Sequence, residues 1–400
     1  MLVVPPGTPP RVSRLDAYRG IVFYGRGPRR GTLRAAGFPY IRQFAFVPDL
    51  ANPRWLMPAD EPGLATRIAL TVWKPSRRSA RLLLDALRWL GPLDPVARRG
   101  DIVTIASRDE PRLDRALRAI LPGPRLRVAL HARADRPGQP TAVILTTEAG
   151  LLGAARLGRT GDPFAAGVER EADVLQVLAE RFAPPVAPVL LGHAVSDDVR
   201  ATVQEPLPPA RAPVEFGGPH RRFLDRLVGD EERPAAEAEP LAQLRAALDR
   251  DLAAFASIRP TLADLLVRLG SIRLPRTVVH GDFAPWNLRL AADGQLRAFD
   301  WESASLDGLP LIDEIHYRLQ VGHHLRGWDI DRCAACLDEV IAEAGYRFGS
   351  AAARNLALLS LALRLVVSAA RQEPSDPADM GVGQVIELLR RLEAAPATTQ

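Results

Sequence analysis

Arg276-Thr-Val-Val-His280-Gly281-Asp282-Phe-Ala-Pro-Trp-Asn287 begins as a short apolar run and ends in a cluster of polar side chains; thirteen positions after Asn287 comes Asp300-Trp301-Glu302. The run to His280 has the character of a short buried strand, which would deliver Gly281 and Asp282 to a turn at its end. Gly281 supplies the backbone freedom that such a turn needs. Downstream, two extended stretches flank Asp293-Gly294, a strong hairpin signal. With Asp293 and Gly294 as a two-residue turn, Ala292 opposes Gln295, Leu288 opposes Phe299 and Asn287 opposes Asp300. Directly opposed side chains have Cβ atoms roughly 4.5–5.5 Å apart, so Asn287 and Asp300 are expected to offer two oxygens to one hard cation. Leu288 and Phe299 are expected to turn together toward a core.

Mg2+ favours oxygen ligands and keeps waters beside one or two carboxylates and a substrate's phosphates. Asn287 and Asp300 suit that need. Asp282, five residues before Asn287, is then left to accept the proton of an attacking hydroxyl or to orient it. His280 is expected to brace the loop by hydrogen bonding. Taken singly, a loop aspartate usually caps a turn and an Asp-Gly usually only closes a hairpin. Their joint order and register point to phosphoryl chemistry.

This text resembles the aminoglycoside phosphotransferase and choline kinase-like family, whose small-molecule kinases share the protein-kinase fold; the matching residues are His280-Gly-Asp282-Phe-Ala-Pro-Trp-Asn287 with Asp300-Trp-Glu302. The resemblance implies a catalytic aspartate at Asp282 and magnesium ligands at Asn287 and Asp300. It implies ATP and Mg2+ as cofactors. The partner is then a small-molecule hydroxyl acceptor of sugar, aminoglycoside or amino alcohol type, taking the γ-phosphoryl group. Asp313, in Leu-Pro310-Leu-Ile-Asp313-Glu, resembles a further family aspartate of structural role. Its place after Pro310 equally suits a first-turn acid at a helix N-terminus.

The same resemblance implies a two-lobed, protein-kinase-like α+β fold, with an antiparallel-sheet N-lobe over residues 121–206 and a mostly helical C-lobe over 207–400. Extended runs at 127–132, 141–146 and 151–157 read as a meander with turns at Arg136–Gln139 and Glu148–Gly150, and runs at 187–194 and 199–204 complete the sheet. The first of these turns would sit over the nucleotide phosphates, and Glu205-Pro-Leu-Pro-Pro209 would form the hinge that reads the adenine edge. Asp162-Pro163 opens a helix whose apolar stripe is Val168, Ala172, Leu175 and Leu178. Glu171 falls within that stripe and should face inward toward a partner, whereas Glu169 lies on another face.

By the resemblance, Glu171 is the glutamate of the kinase ion pair. Its partner is a lysine in the family and Arg156 here. Lysine is a compact point charge and arginine a planar fork, so the departure matters. Lys74 is nevertheless the only lysine among 52 basic residues, so arginine replaces lysine throughout this chain. Two expectations follow: an ordinary small-molecule kinase, or a catalytically weak kinase-like nucleotide-binding module.

The chain has 400 residues, of which 47% are hydrophobic, enough for a substantial core. Its net charge of +5 is spread along the sequence, and the Glu-rich stretch 230–239, expected as an exposed connection, interrupts any continuous basic face. No nucleic-acid partner is therefore expected; Arg26–Gly31, the densest basic patch, reads as a solvated loop. Residues 1–120 read as an additional α+β extension packed on the small lobe, with extended runs at 43–47 and 101–105 and helical text at 79–90 and 110–120. Met1–Pro6 lacks a secretory pattern, and Ala351–Ala370 is interrupted by Arg354, Asn355 and Arg364, so a buried helix and no membrane span is expected. Cys333 and Cys336 are too few for a disulfide framework and have no evident further zinc ligands. A cytoplasmic protein is expected. Beyond the hinge, helical periodicity covers 241–258, 262–269, 329–344, 351–370 and 385–394.

Overall fold

The structure is a computed structural model that describes residues 21–24, 28–47, 55–61, 63, 68, 101–123, 126–131, 141–147, 150–159, 165–196, 199–206, 208, 210–250, 255–370 and 380–394. The chain divides into two compact units, residues 1–176 with 188–206 and residues 177–187 with 207–400. Several sequence expectations lie outside the described residues: the helical text at 79–90, the turn at Arg136–Gln139, and Asp162-Pro163. Pro206 and Pro208 are the described prolines of the expected hinge.

The first unit holds β1 (Ile21–Tyr24), α1 (Arg30–Ala35), β2 (Tyr40–Val47), β3 (Trp55–Pro58), β4 (Ile102–Ser107), α2 (Arg112–Ile120), β5 (Arg127–His131), β6 (Thr141–Thr147) and β7 (Gly150–Arg159). It continues with α3 (Ala165–Arg181), within which the division falls, then β8 (Leu190–Ser196) and β9 (Val199–Gln204). All nine strands form one antiparallel sheet in the order β1-β4-β2-β3-β5-β6-β7-β9-β8. The expected meander is β5-β6-β7, and β9 inserts beside β7 so that β8 takes the edge.

The described strands of 1–120 and those of 121–206, read apart in the sequence, thus share one sheet. The join is the β3–β5 pair, Trp55 opposite His131 and Leu56 opposite Leu130, which covers an edge that would otherwise present unpaired backbone groups. They also share a core, in which Phe44, Ile105, Leu113 and Leu117 pack with Val128, Leu145 and Val203. The approach of α2 is close enough that a Cβ on Gly192 in β8 would collide with Ile120.

The second unit holds β10 (Ala210–Arg211), α4 (Gly218–Leu227), β11 (Val228–Pro234), α5 (Glu239–Asp249), α6 (Arg259–Gly270), β12 (Arg273–Val279), β13 (Leu288–Leu290), β14 (Leu296–Ala298) and β15 (Ser305–Gly308). Four helices follow: α7 (Ile312–Leu319), α8 (Ile330–Phe348), α9 (Ser350–Ala370) and α10 (Val382–Ala394). Two small three-stranded sheets, β11-β12-β15 and β10-β13-β14, carry the loop between β12 and β13. The expected exposed connection at 230–239 is largely strand β11: Asp230, Glu231 and Glu232 are exposed, as expected, but the backbone pairs with β12. The predicted helix over 241–258 ends at Asp249, and residues 255–258, the next described after 250, form a turn.

Helix α9 is largely apolar, with Leu356, Leu358, Leu359 and Leu361 at most 1% exposed in the core. Ser350–Ser368 is long and apolar enough to cross a membrane by length and composition, yet 61% of it is buried inside the fold, as befits a central core helix. Both cysteines are buried free thiols on α8, and burial pushes the Cys336 thiol up to about 11.

Candidate active site

Strand β12 ends at Val279, and the next residues turn sharply because Gly281 has φ 80°, a left-handed conformation that glycine adopts without strain. A Cβ at Gly281 would also collide with the carbonyl oxygen of Ser303. Position 281 therefore excludes any larger residue on two grounds, and the segment that follows Asp300 lies directly against it.

The hairpin differs from the sequence expectation by one residue. Leu288 pairs with Ala298, Arg289 with Arg297 and Leu290 with Leu296, and Ala291 N–H donates to the Gln295 carbonyl at 2.8 Å. The loop is thus three residues, Ala292-Asp293-Gly294, with Gly294 at φ 76°: a turn closed by a left-handed glycine bulge. The extra residue shifts every pair. Asn287 opposes Phe299, whose N–H donates to the Asn287 carbonyl at 3.0 Å, and Asp300 lies one residue beyond the pair. Leu288 is fully buried, while Phe299 is half-buried under the Arg289 guanidinium at 4.8 Å. Asn287 and Asp300 are therefore not directly opposed, and Leu288 and Phe299 do not share a core face.

Asp300 itself sits at φ 72°, ψ 55°, a left-handed conformation that aspartate tolerates better than most residues, and it opens a short turn over Trp301–Ser303. Trp301 is fully buried, donates from Nε1 to the Ala298 carbonyl at 2.8 Å and packs its ring 4.5 Å from that of His280.

His280 is also fully buried. Its Nδ1 accepts the Asp282 N–H at 3.2 Å, which places the ring hydrogen on Nε2, where it donates to the Phe299 carbonyl at 2.9 Å. Burial, only partly offset by Asp282 and the Phe299 carbonyl, lowers the imidazole to about 4, so it is neutral at pH 7. Asp313 completes the frame. It stands in the first turn of α7, and its carboxylate accepts the N–H of His280 at 2.6 Å and of Gly281 at 3.0 Å. Both sequence readings of Asp313, helix-start acid and structural residue, thus hold for one side chain.

Asp282 keeps 39% of its side chain exposed at the tip of this braced loop. Asn287, nearly buried, donates from Nδ2 to the Asp282 carbonyl and to Oδ2, both at 2.9 Å. The other carboxylate oxygen, Oδ1, lies 3.2 Å from Nε2 of His316. Burial works to raise the Asp282 carboxyl, but His316, His280 and Asn287 together carry it below its ordinary value. His316 was not anticipated from the sequence. The available signal was its place three residues after Asp313 on one helix, a spacing that puts both on the same face. Trp286 was likewise passed over: it is 39% exposed, with its ring 5.3 Å from that of His324.

No group of three or more His, Cys, Asp or Glu residues is arranged as a metal cage among the described residues. The donors present nonetheless fit a hard cation shared with phosphates. With Nδ2 of Asn287 committed to Asp282, its Oδ1 is the amide atom left for a metal, and Asp300 adds a carboxylate.

Within the first unit, Arg156 on β7 places Nε 3.5 Å from Oε2 of Glu171 on α3, and Glu171 is fully buried. Glu169 pairs instead with Arg200 and is 38% exposed. The different settings of the two glutamates follow from the stripe read in the sequence.

Residues 203–356 match the phosphotransferase enzyme family. Among solved structures, the chain is similar to a thermostable mutant of an aminoglycoside phosphotransferase in ternary complex with ADP and hygromycin B, at 14% identity and a TM-score of 0.45 over 68% of this chain and 95% of that one. It is similar to amicoumacin kinase in complex with AMP-PNP and Ca2+, at 12% identity and a TM-score of 0.37 over 65% and 86% of the two chains. An aminoglycoside phosphotransferase from Alicyclobacillus acidocaldarius is similar at 16% identity and a TM-score of 0.34, over 65% and 89%. No curated protein matches the sequence. The family match spans the whole set from His280 to Asp313.

Proposed function

We propose that the protein is an ATP- and Mg2+-dependent phosphotransferase that moves the γ-phosphoryl group to a hydroxyl of a small molecule. The observation that carries this reading is the state of Asp282: half-exposed, ionised, and held at both oxygens on a loop whose backbone is itself fixed by Asp313. Such a carboxylate is suited to orient an acceptor hydroxyl and take up its proton. Asn287 and Asp300 would hold Mg2+, which when bound neutralises charge on the phosphates. Arg156, steadied by Glu171, would contribute a cation for the nucleotide phosphates. The same reading expects a cytoplasmic enzyme.

Purified protein with Mg2+ and ATP is expected to consume ATP in the presence of one or more members of a hydroxyl-acceptor panel, with turnover lowered about 10²–10⁴-fold in Asp282→Ala. Failure to bind nucleotide even at millimolar Mg2+ and ATP would overturn the assignment. Arg156 in place of lysine favours a second reading, a weak kinase-like nucleotide-binding module, and Arg156→Lys separates the two.

A further inference from the structure

We infer that His316 is a positioning residue for Asp282, fixing the carboxylate orientation in which phosphoryl transfer takes place; the inference rests on the phosphotransferase reading above. The Asp282 loop is held by one helix at two levels. Asp313, in the first turn of α7, binds the loop's main chain, and His316, one turn further, binds the carboxylate that the loop presents. Without His316, Asp282 would keep one side-chain anchor, the 2.9 Å bond from Asn287 to Oδ2. The terminal torsion of an aspartate is broad, so a half-exposed carboxylate anchored at one oxygen samples a range of orientations. A second anchor at Oδ1 removes that freedom.

The chemistry of the contact assigns the imidazole's hydrogen. An ionised carboxylate only accepts, so the 3.2 Å contact requires Nε2–H on His316 and leaves Nδ1 without the proton in the neutral ring. Gln320, one turn on, brings its amide to 3.5 Å from the same Nε2. The imidazole is only 18% exposed on its side chain, and its helix is pinned to the loop by Asp313, so its own position is well determined. His316 touches Asp282, and through it acts on the acceptor hydroxyl.

Two variants and one spectroscopic measurement test this. His316→Phe keeps a ring and removes the donor, while His316→Gln keeps an N–H at similar reach. Turnover is expected to fall roughly 10- to 100-fold in His316→Phe, with KM for ATP and acceptor changed less than about threefold, and to recover substantially in His316→Gln. Equal losses in both variants, or a loss carried by KM, would overturn the inference. Independently of activity, nitrogen-15 shifts of the His316 ring are expected to report the Nε2–H form in the native protein and a mixture of tautomers in Asp282→Ala. An unchanged tautomer would sink the inference even in an active enzyme. Absence of ATP consumption by the native protein with every acceptor would instead strike the phosphotransferase reading, with the tautomer measurement still deciding the contact.

Discussion

Asp313 accepts the backbone N–H of His280 at 2.6 Å, so a residue in the first turn of α7 holds the end of β12 and the start of the Asp282 loop by the main chain. Asp313→Ala is expected to leave the N–H groups of His280 and Gly281 unpaired in a buried site, at a cost of about 2–5 kcal/mol in stability. Asp313→Asn, which still accepts one bond, should cost less. Chemical denaturation of the two variants checks the order, and a smaller loss in Asp313→Ala than in Asp313→Asn would contradict it.

Stability is expected to depend on pH through groups of opposite sign. His280 and His220 are both lowered to about 4 by burial, so between pH 6.5 and 4 the unfolded chain binds more protons and stability falls as pH falls. Asp313 is raised to about 7 by burial against the two N–H bonds it accepts; its contribution is lost as pH rises through that value. Each buried imidazole adds a slope of about 1.4 kcal/mol per pH unit inside its window. His220→Phe should flatten the acid limb of a plot of unfolding free energy against pH by about that much, and an unaltered slope would refute the assignment.

Arg156→Ala removes a cation from beside a carboxylate that has no exposed surface. The expected loss is about 3–5 kcal/mol of stability together with weakened ATP binding. Arg156→Lys is the more telling change. Turnover is expected to stay the same or fall, because Glu171 is already paired with a guanidinium; a tenfold gain, measured by ATP consumption, would favour the weak-module reading.

Gly281→Ala is expected to abolish turnover and lower the melting temperature, since the added Cβ meets the Ser303 carbonyl and φ 80° is strained for alanine. Gly294→Ala shares the left-handed backbone, but its added Cβ meets nothing within 4 Å, so it should cost only about 1 kcal/mol. Comparable damage from both would show that backbone strain, and not the contact with Ser303, limits position 281.

Removal of divalent cations with EDTA is expected to stop ATP consumption, and Mg2+ to restore it. Asn287→Ala should raise the Mg2+ concentration needed for half-maximal turnover while also lowering turnover itself, because Asn287 Nδ2 holds Asp282. An unchanged Mg2+ dependence in Asn287→Ala would remove it from the ligand set.

Local chemistry made much of the molecule readable from the sequence. The strand before His280, the helix stripe that turns Glu171 inward and the β5-β6-β7 meander each depend on neighbours within a few residues, where propensity and periodicity act. The hairpin register did not follow in the same way. A two-residue and a three-residue loop share the text Asp293-Gly294, and they differ only in whether Gly294 serves as a turn residue or a left-handed bulge. That choice is settled by how the strands pack, with Leu288 and Ala298 facing the core together.

The amino-acid sequence by itself determined the order of the chemical groups, from Asp282 through Asn287 to Asp300, because their spacing is written along the chain. Tertiary structure alone decided which groups meet. It joined strand β3 to the β5-β6-β7 meander through the β3–β5 pair. It also brought His316 to Asp282 across thirty-four residues, a contact of one folded helix with one folded loop that no local pattern encodes.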